Sequence, residues 1–173
     1  MITVINNILS TDEVNGVYNF LNAEDFVWHK IDDYKDQAQK VKRMSFGHFM
    51  RQPKLGEIMN DDPLVSFLHG RVKERRIPDT NNLYKVTVNC IKPHEHFDYH
   101  TDEWGSTVIF YVNPVWKWDW GSGTKFKSGK IVRPQPGRAV VFNGKVKHKI
   151  VPPTPFMNDF GRFIFGEEWD EED

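Results

Sequence analysis

The stretch Tyr99-His100-Thr101-Asp102 decides how the rest of the fold is interpreted. If it is a strand, the side chains of His100 and Asp102 project from one face, roughly 6.6 Å apart along the chain. One imidazole nitrogen and one carboxylate oxygen can then converge on a single cation. A second imidazole is available from His148, much further along the sequence. Two imidazoles and one carboxylate on one side of a metal ion leave the opposite coordination positions open.

His148 lies in a run that alternates between apolar and basic residues. Val146 and Ile150 share one strand face with His148. The other face carries lysines only, at Lys145, Lys147 and Lys149. We expect the apolar face to be inward, so that His148 points into the core while the lysines face water. This set of two histidines and one carboxylate is typical of non-haem Fe(II) oxygenases.

Arg162 begins a short apolar segment in which Ile164 would share its strand face. A buried guanidinium needs an anion, and its planar fork suits a carboxylate, which it binds bidentately. Alternation also places Tyr111 on the inward face of its strand. Arg162 and Tyr111 together would offer a forked cation and a phenol donor to one ligand carboxylate. The alternative for Arg162 is an exposed position at the end of a strand.

Composition limits the possible classes of protein. A chain of 173 residues predicts a single domain, residues 1–173, that is large enough to bury a core. The 24 acidic residues nearly balance the 23 basic ones, so no overall field favours nucleic acid or an anionic membrane. We found no apolar run of membrane-spanning length and no signal-peptide pattern. Cys90 is the only cysteine, which excludes an intrachain disulfide and favours a cytoplasmic location.

Two helices are predicted in the first half of the chain. Ser10-Thr-Asp-Glu13 is a capping box, and apolar residues at helical spacing follow it, which predicts a helix of about three turns. Asp62-Pro63 predicts the start of a second helix that ends near Arg76. Strands are expected at 2–8, 26–31 and 44–51. Residues 32–43 are polar and without periodicity, which indicates a long loop, either a surface loop or a lid over a substrate.

Short strands and turns dominate the second half of the chain. We expect strands at 84–92, 94–102, 106–112, 124–127, 130–133, 138–142, 145–151 and 162–166. Asn143-Gly144 predicts a tight hairpin between two of them. Helices followed by many strands indicate an α+β fold, mainly β, in which the strands form a barrel or jelly roll.

From about Asn89 to Trp169 the sequence resembles 2-oxoglutarate- and Fe(II)-dependent dioxygenases of the prolyl 4-hydroxylase-like group. The resemblance rests on His100-Thr-Asp102, on Ile109-Phe-Tyr-Val-Asn113 with Trp116, on Pro136-Gly-Arg-Ala-Val-Val-Phe142 leading to His148, and on Gly161-Arg162. It implies a double-stranded β-helix, the jelly-roll or cupin-like barrel, with the N-terminal helices packed on one sheet. Residues 1–81 would support a catalytic core at 82–169, followed by an acidic tail at 170–173.

The resemblance also implies an activity and a set of site residues. Its cofactors would be Fe(II), the cosubstrate 2-oxoglutarate and O2, and its reaction the hydroxylation of a C–H bond coupled to decarboxylation of 2-oxoglutarate to succinate. His100, Asp102 and His148 would bind the metal. Arg162 would pair with the distal carboxylate of 2-oxoglutarate, Tyr111 would bond the same carboxylate, and Asn89 is a further cosubstrate candidate. The substrate would be a peptide, a protein or a small molecule. Peptidyl proline is the first candidate, and a free amino acid, another small molecule or a nucleobase is the alternative.

The sequence departs from the family pattern in two places. Gly121-Ser122-Gly123-Thr124 stands where the family usually has Gly-Gly-Glu-Thr, so the glutamate is missing. The interval between His148 and Arg162 is long and contains several prolines, which predicts an extra loop. The tryptophans that could line a substrate groove or anchor loops are Trp104, Trp116, Trp118 and Trp120.

Two other classes of protein compete with the oxygenase. A cupin-type metalloprotein could use His94, His96 and His100, but Thr101 occupies the position where the usual cupin pattern has a glutamate. A binding module on a jelly-roll scaffold would leave the histidines and the aspartate without a catalytic role.

Overall fold

The computed structural model describes the greater part of the chain. The described residues are 1–21, 29–30, 49–51, 63–75, 77, 83–102, 105–155 and 162–169. The backbone alone is described for 29–30, 49–51, 63, 65, 83–90 and 162–169. The predicted loop at 32–43 and the acidic tail at 170–173 lie outside the described residues, and the division into support region and core stays a prediction.

Helices and short strands follow one another in the order that the sequence predicts. The helices are α1 (Thr11–Leu21) and α2 (Pro63–Glu74). The strands are β1 (Ile2–Ile5), β2 (His29–Lys30), β3 (Phe49–Arg51), β4 (Leu83–Ile91), β5 (Ser106–Tyr111), β6 (Gly121–Phe126), β7 (Ile131–Val132), β8 (Arg138–Asn143), β9 (His148–Pro153) and β10 (Arg162–Trp169). A 3₁₀ turn, Trp118–Trp120, precedes β6. No helix in the described ranges has the length and apolarity needed to cross a membrane.

The start of α1 is formed by the predicted capping box. The Ser10 backbone N–H donates to Glu13 Oε2 at 2.7 Å, and the Glu13 N–H donates to Ser10 Oγ at 3.3 Å. Two backbone donors at the open end of the helix are therefore satisfied. Glu13 also pairs with Arg71 of α2, so the same carboxylate joins the two helices.

Two antiparallel sheets form the β part of the fold. The major sheet has seven strands in the order β1-β8-β5-β10-β4-β3-β2, and the minor sheet has three in the order β7-β6-β9. All of the pairings in both sheets are antiparallel. β5 lies inside the major sheet and is buried along almost its whole length, as its continuous apolar sequence predicts.

Two hydrophobic clusters lie on the two sides of the major sheet, one towards the helices and one towards the minor sheet. The first joins the apolar faces of α1 and α2 to alternate residues of β5, such as Val108 and Phe110, so the helices pack on the major sheet as expected. The second joins the intervening residues of β5, Ile109 and Tyr111, to Phe126 and Val132 of the minor sheet. The two faces of β5 therefore pack in different layers, since successive side chains of a strand point to opposite sides.

Two predictions about local structure are wrong. Asn143-Gly144 does not close a two-residue hairpin, because β8 belongs to the major sheet and β9 to the minor sheet. Neither residue has the positive φ that such a hairpin requires, and the Val146 N–H donates to Asn143 O across an ordinary turn. The expected strand at 94–102 is reduced to one isolated bridge at His100. Two strand boundaries also differ: β6 begins three residues earlier than expected, and β9 begins three residues later, so Lys145 and Val146 lie in the turn before it.

The segment with the missing glutamate has a conformation that a glutamate would not fit. Gly121, Ser122 and Gly123 all have positive φ, and a Cβ on Gly123 would lie 2.5 Å from the carbonyl oxygen of Val132. Only glycine allows β7 to approach this closely. Ser122 is held instead by its hydroxyl, which donates to Val151 O at 2.7 Å.

Glu13→Gln tests the charge of the capping-box carboxylate and its pH dependence, since glutamine keeps the acceptor for the Ser10 N–H. The bond from the Ser10 N–H, with those from the Ser10 hydroxyl and Arg71, lowers the pKa of Glu13 below 4.5. The carboxylate therefore stabilises the fold above that pH, and the stabilisation is lost as the pH falls through the lowered pKa. At neutral pH, Glu13→Gln should reduce the free energy of unfolding by about 0.5–1 kcal/mol, and the difference from wild type should vanish in acid.

The measurement is urea unfolding at several pH values. Asp12→Asn, which removes a neighbouring exposed carboxylate from the same turn, is the matched control and should have a smaller effect. A Glu13→Gln difference that persists unchanged in acid would contradict the pKa argument.

Candidate metal centre

A single backbone bridge brings the two histidines together. The His100 N–H donates to His148 O, and the His148 N–H donates to His100 O, both at 2.9 Å. Directly paired residues on antiparallel segments present their side chains on the same face. The two imidazole rings accordingly lie 4.4 Å apart, centroid to centroid.

Asp102 completes a cluster of three potential metal ligands. Its backbone N–H donates to Gly144 O at 2.9 Å, which attaches the segment after His100 to the turn before β9. Asp102 Oδ1 lies 3.8 Å from His100 Nε2, and Oδ2 lies 3.6 Å from His148 Nε2. One ligand atom from each residue lies within 4.8 Å of the others. Ligand atoms bonded to one ion at about 2.1 Å can be up to about 4.2 Å apart, so both carboxylate distances suit a shared cation.

The tautomers of both histidines suit metal binding. His100 Nδ1 lies 3.3 Å from Asp98 O, and His148 Nδ1 lies 2.9 Å from Val146 O. Because a carbonyl oxygen can only accept, a proton on each Nδ1 would satisfy these contacts and leave each Nε2, which faces Asp102, as the metal-binding atom. Histidines that bind metals commonly donate their other N–H to such a carbonyl, which orients the ring.

The two sides of the cluster differ in their access to solvent. His148 is 3% exposed and packs against the rings of Phe126 and Phe142, at 6.2 and 4.6 Å. Burial lowers the pKa of His148, and this outweighs the opposing effect of the nearby Asp102. The buried imidazole is therefore neutral, as a ligand must be. The side chain of His100 is 48% exposed, so the cluster opens to solvent on that side.

Thr107 is a residue of the site that the sequence did not reveal. Its hydroxyl donates to Asp102 Oδ2 at 2.6 Å from a buried position on the inner face of β5. Hydrogen bonds of this kind orient a ligating carboxylate and are part of the design of metal sites. No local sequence pattern distinguishes Thr107 from any other threonine in a strand. Its hydrogen bond to Asp102 depends on the tertiary position of the Asp102 side chain next to β5.

Tyr111 has a buried hydroxyl that already has protein partners. It lies 2.8 Å from Thr124 Oγ1 and donates to Val132 O at 3.2 Å. Asn89 pairs with Ile164, which pairs in turn with Tyr111, so the three lie side by side on neighbouring strands. Arg162 comes two positions before Ile164 on β10. The side chains of Asn89 and Arg162 lie outside the described residues, and their roles stay predictions.

The histidines of the cupin alternative do not join this cluster. Within the described ranges, the group of possible metal ligands contains Asp102 together with His100 and His148, and includes neither His94 nor His96. The side chain of His96 is mostly exposed and lies 3.5 Å from Asp98 instead. The arrangement therefore favours two histidines and one carboxylate over three imidazoles.

The tryptophans have different surroundings. Trp116 and Trp120 pack edge to face with centroids 5.5 Å apart, and Trp116 Nε1 donates to Gly121 O at 3.1 Å. These two residues anchor the loop before β6. Trp118 is 86% exposed, and Trp104 lies outside the described residues.

Solved structures with a similar fold include two prolyl hydroxylases and a protein that binds 2-oxoglutarate. A prolyl-4-hydroxylase from Pseudomonas putida has a TM-score of 0.69 at 15% identity, covering 98% of this chain and 92% of its own. The viral collagen prolyl hydroxylase from Paramecium bursaria Chlorella virus-1, in complex with 2-oxoglutarate, has a TM-score of 0.59 at 15% identity, covering 99% and 96%. HygX from Streptomyces hygroscopicus, with nickel and 2-oxoglutarate bound, has a TM-score of 0.70 at 9% identity, covering 98% and 82%.

The chain has the fold of 2-oxoglutarate/Fe(II) oxygenases. The resemblance to this superfamily and to its prolyl 4-hydroxylase-like group is thereby confirmed at the level of the fold. No protein-family profile matches the sequence, and no curated protein is similar to it in sequence. The likeness therefore rests on the course of the backbone and on the few motif residues, with little identity elsewhere.

Thr107→Val tests the support of Asp102. Valine keeps the shape of threonine but removes the donor to Oδ2, so the carboxylate is no longer held in one orientation. We expect the affinity for Mn(II) to fall about 10–100-fold. Isothermal calorimetry on the metal-free protein measures this affinity, and circular dichroism checks the fold.

Thr107→Ser is the control, because it keeps the hydroxyl and should retain most of the affinity. If Thr107→Val bound Mn(II) as tightly as wild type, Thr107 would have no role in positioning the carboxylate.

Proposed function

We propose that the protein is a non-haem Fe(II)- and 2-oxoglutarate-dependent dioxygenase that hydroxylates a C–H bond. The observation that carries the proposal is the convergence of two histidine Nε2 atoms and one carboxylate in a chain with the fold of such oxygenases. The cluster is open to solvent on the side of His100. His100, Asp102 and His148 would bind the metal. We infer that the two sheets form the double-stranded β-helix of this fold class.

The donor set fits Fe(II) and does not fit a structural zinc site. Two neutral imidazoles and one carboxylate, with positions left open, are the facial triad of Fe(II) oxygenases. Structural zinc sites are instead usually closed by four protein ligands rich in cysteine, and Cys90 is the only cysteine of the chain. When bound, Fe(II) would supply the activation of O2, coupled to decarboxylation of 2-oxoglutarate to succinate.

The residues of this chain would orient the ligands and limit the access of water. The carbonyls of Asp98 and Val146 fix both histidine tautomers, and Thr107 holds one oxygen of Asp102. Phe126 and Phe142 exclude water from the His148 side. Substrate would therefore approach from the side of His100.

The cosubstrate would lie between the metal ligands and the start of β10. Backbone pairing aligns Asn89, Ile164 and Tyr111, with Arg162 two positions away, which supports the three predicted cosubstrate contacts. The Tyr111 hydroxyl donates to Val132 O at 3.2 Å, which is the longer of its two hydrogen bonds. A 2-oxoglutarate carboxylate that reaches Tyr111 would replace Val132 O as the acceptor of this hydroxyl. The bond to Thr124 could then remain, with Thr124 as donor.

Peptidyl proline is the proposed primary substrate. This proposal rests on the names of two solved structures with the same fold, a prolyl-4-hydroxylase and a collagen prolyl hydroxylase. A screen of proline-containing peptides, with mass spectrometry for a gain of one oxygen, tests it. If the protein hydroxylated a small molecule and none of the peptides, the proposed oxygenase activity would stand and the proposed substrate class would be wrong.

Asp102→Ala tests the metal ligands. Loss of the carboxylate should abolish binding of Mn(II) by calorimetry and formation of succinate from 2-oxoglutarate with Fe(II) supplied. The fold should remain, because Asp102 is not a member of either hydrophobic cluster.

The matched control is His96→Ala, which changes a nearby exposed histidine and should leave both measurements close to wild type. If Asp102→Ala formed succinate as fast as the wild-type protein, the assignment of Asp102 as a metal ligand would be wrong. Metal binding without succinate formation by the wild-type protein would instead favour an inert binding module.

Arg162→Ala tests the cosubstrate site. A bidentate, charged pairing contributes about 1.5–3 kcal/mol, so the affinity for 2-oxoglutarate should fall about 10–150-fold while Mn(II) affinity stays the same. The measurement is calorimetric titration of 2-oxoglutarate into the Mn(II) form without oxygen.

Arg133→Ala is the control, since it removes an exposed arginine that precedes β8. Equal affinity of Arg162→Ala and wild type for 2-oxoglutarate would mean that another residue binds the distal carboxylate.

A further inference from the structure

Positive charge is segregated in one part of the chain. Acidic and basic residues nearly balance overall, at 24 and 23. Residues 121–155, which run from β6 to the end of β9, nevertheless contain no aspartate or glutamate. The cationic residues of this segment are Lys125, Lys127, Lys130, Arg133, Arg138, Lys145, Lys147 and Lys149.

Four of these lysines lie together on the outer side of the minor sheet. Lys125 of β6 is directly paired with Lys149 of β9. Next to this pair, the Lys127 N–H donates to Lys147 O at 2.9 Å, so the second two lysines are also neighbours. The intervening residues Phe126 and His148 are buried on the inner side. Lys125, Lys127, Lys147 and Lys149 therefore form one basic face.

The basic face has an electrostatic cost that the described residues do not offset. Like charges directly opposite each other destabilise a sheet. In the part of the chain that the structure describes, no acidic side chain forms an ion pair with Lys125, Lys127 or Lys147. Lys149 instead lies over the ring of Tyr99, with Nζ 5.1 Å from its centroid. Such an arrangement is understandable if an anionic partner occupies the face.

Apolar side chains flank the lysines in the same cross-strand row. Ile131 is paired with Lys125 on one side and is 46% exposed. Tyr99 lies beyond Lys149 on the other side and is 39% exposed. Aromatic residues such as tyrosine are enriched in protein–protein interfaces, and the rim of such interfaces is polar.

We propose that the basic face binds an extended acidic segment of a partner polypeptide. Lys127 directly follows β6 and Lys147 directly precedes β9, and the bond between them continues the pairing of Lys125 with Lys149. Along each segment the lysines stand two positions apart, about 6.6 Å in extended backbone, which equals the spacing of alternate side chains in an extended peptide. Acidic residues at every second position of such a segment would meet successive lysines, while apolar residues reach Tyr99 or Ile131.

Features of the chain favour a polypeptide over a nucleic acid. The face contains lysines and no arginine, so it lacks the planar fork that binds phosphate bidentately. The net charge of −1 supplies no long-range attraction to a polyanion. The face also flanks His148, because Lys147 and Lys149 are its neighbours in sequence. A partner bound there would be close to the candidate metal centre, although its binding does not depend on the proposed oxygenase activity.

Fluorescence anisotropy on the metal-free protein tests the proposal. The probe is a fluorescein-labelled peptide of alternating glutamate and valine. The comparison probes are the same peptide with lysine in place of glutamate, and labelled oligothymidylate. We expect the glutamate peptide to bind in low salt and to dissociate as the ionic strength rises, while the lysine peptide does not bind.

Lys125→Gln/Lys127→Gln should weaken binding of the glutamate peptide about tenfold, since each exposed ion pair contributes little alone. These lysines are chosen because they do not adjoin His148. Lys73→Gln/Lys117→Gln makes the same charge change on α2 and before β6, and should bind the peptide as wild type does. Equal loss in both double variants, no binding by the wild-type protein, or tighter binding of oligothymidylate than of the peptide would each overturn the proposal. Since metal is absent, failure here leaves the proposed oxygenase activity untouched.

Discussion

Two hydrogen bonds between His100 and His148 are the constraint on which the candidate metal centre depends. The bridge is isolated, and each bond contributes only about 0.5–1.5 kcal/mol to stability. Neighbouring contacts therefore matter for holding the rings side by side. Asp102 bonds to the turn at Gly144, and Lys149 lies over Tyr99 on the outer side of the same bridge. Together these contacts attach an otherwise irregular segment to β9 at the position where the ligands must meet.

The rest of the fold holds the two partners of that bridge in place. β9 is paired with β6, and Phe126 of β6 packs on His148 from the inner side. β5 supplies Thr107 to Asp102 on one face and packs against the helices through its other face. The helices pack on the face of β5 opposite to Thr107, so they cover the sheet whose inner face positions the carboxylate. Local backbone pairing and core packing thus act on the same three side chains.

The same strand pleat gives β9 two roles. His148 points inward to the ligand cluster, and Lys149 points outward to the basic face, as does Lys147 directly before the strand. A strand can serve both surfaces because its side chains alternate, and a shift of one residue in register would exchange them. This coupling explains why the register of β9 against β6 is important for the candidate metal centre and for the outer surface alike.

The sequence by itself determined most of the elements and the ligand types. The capping box of α1, the helical periodicities and the alternation around His148 are local patterns, and local patterns can be interpreted without knowing the fold. His100, Asp102 and His148 were predicted from residue chemistry and spacing, and the structure brings them together. Only the tertiary structure decided that Asn143-Gly144 joins two sheets, that Thr107 supports Asp102, that Tyr111 bonds to Thr124, and that Lys125 lies opposite Lys149. Each of these depends on contacts between segments distant in the chain, and such pairings leave no periodic trace in a single sequence.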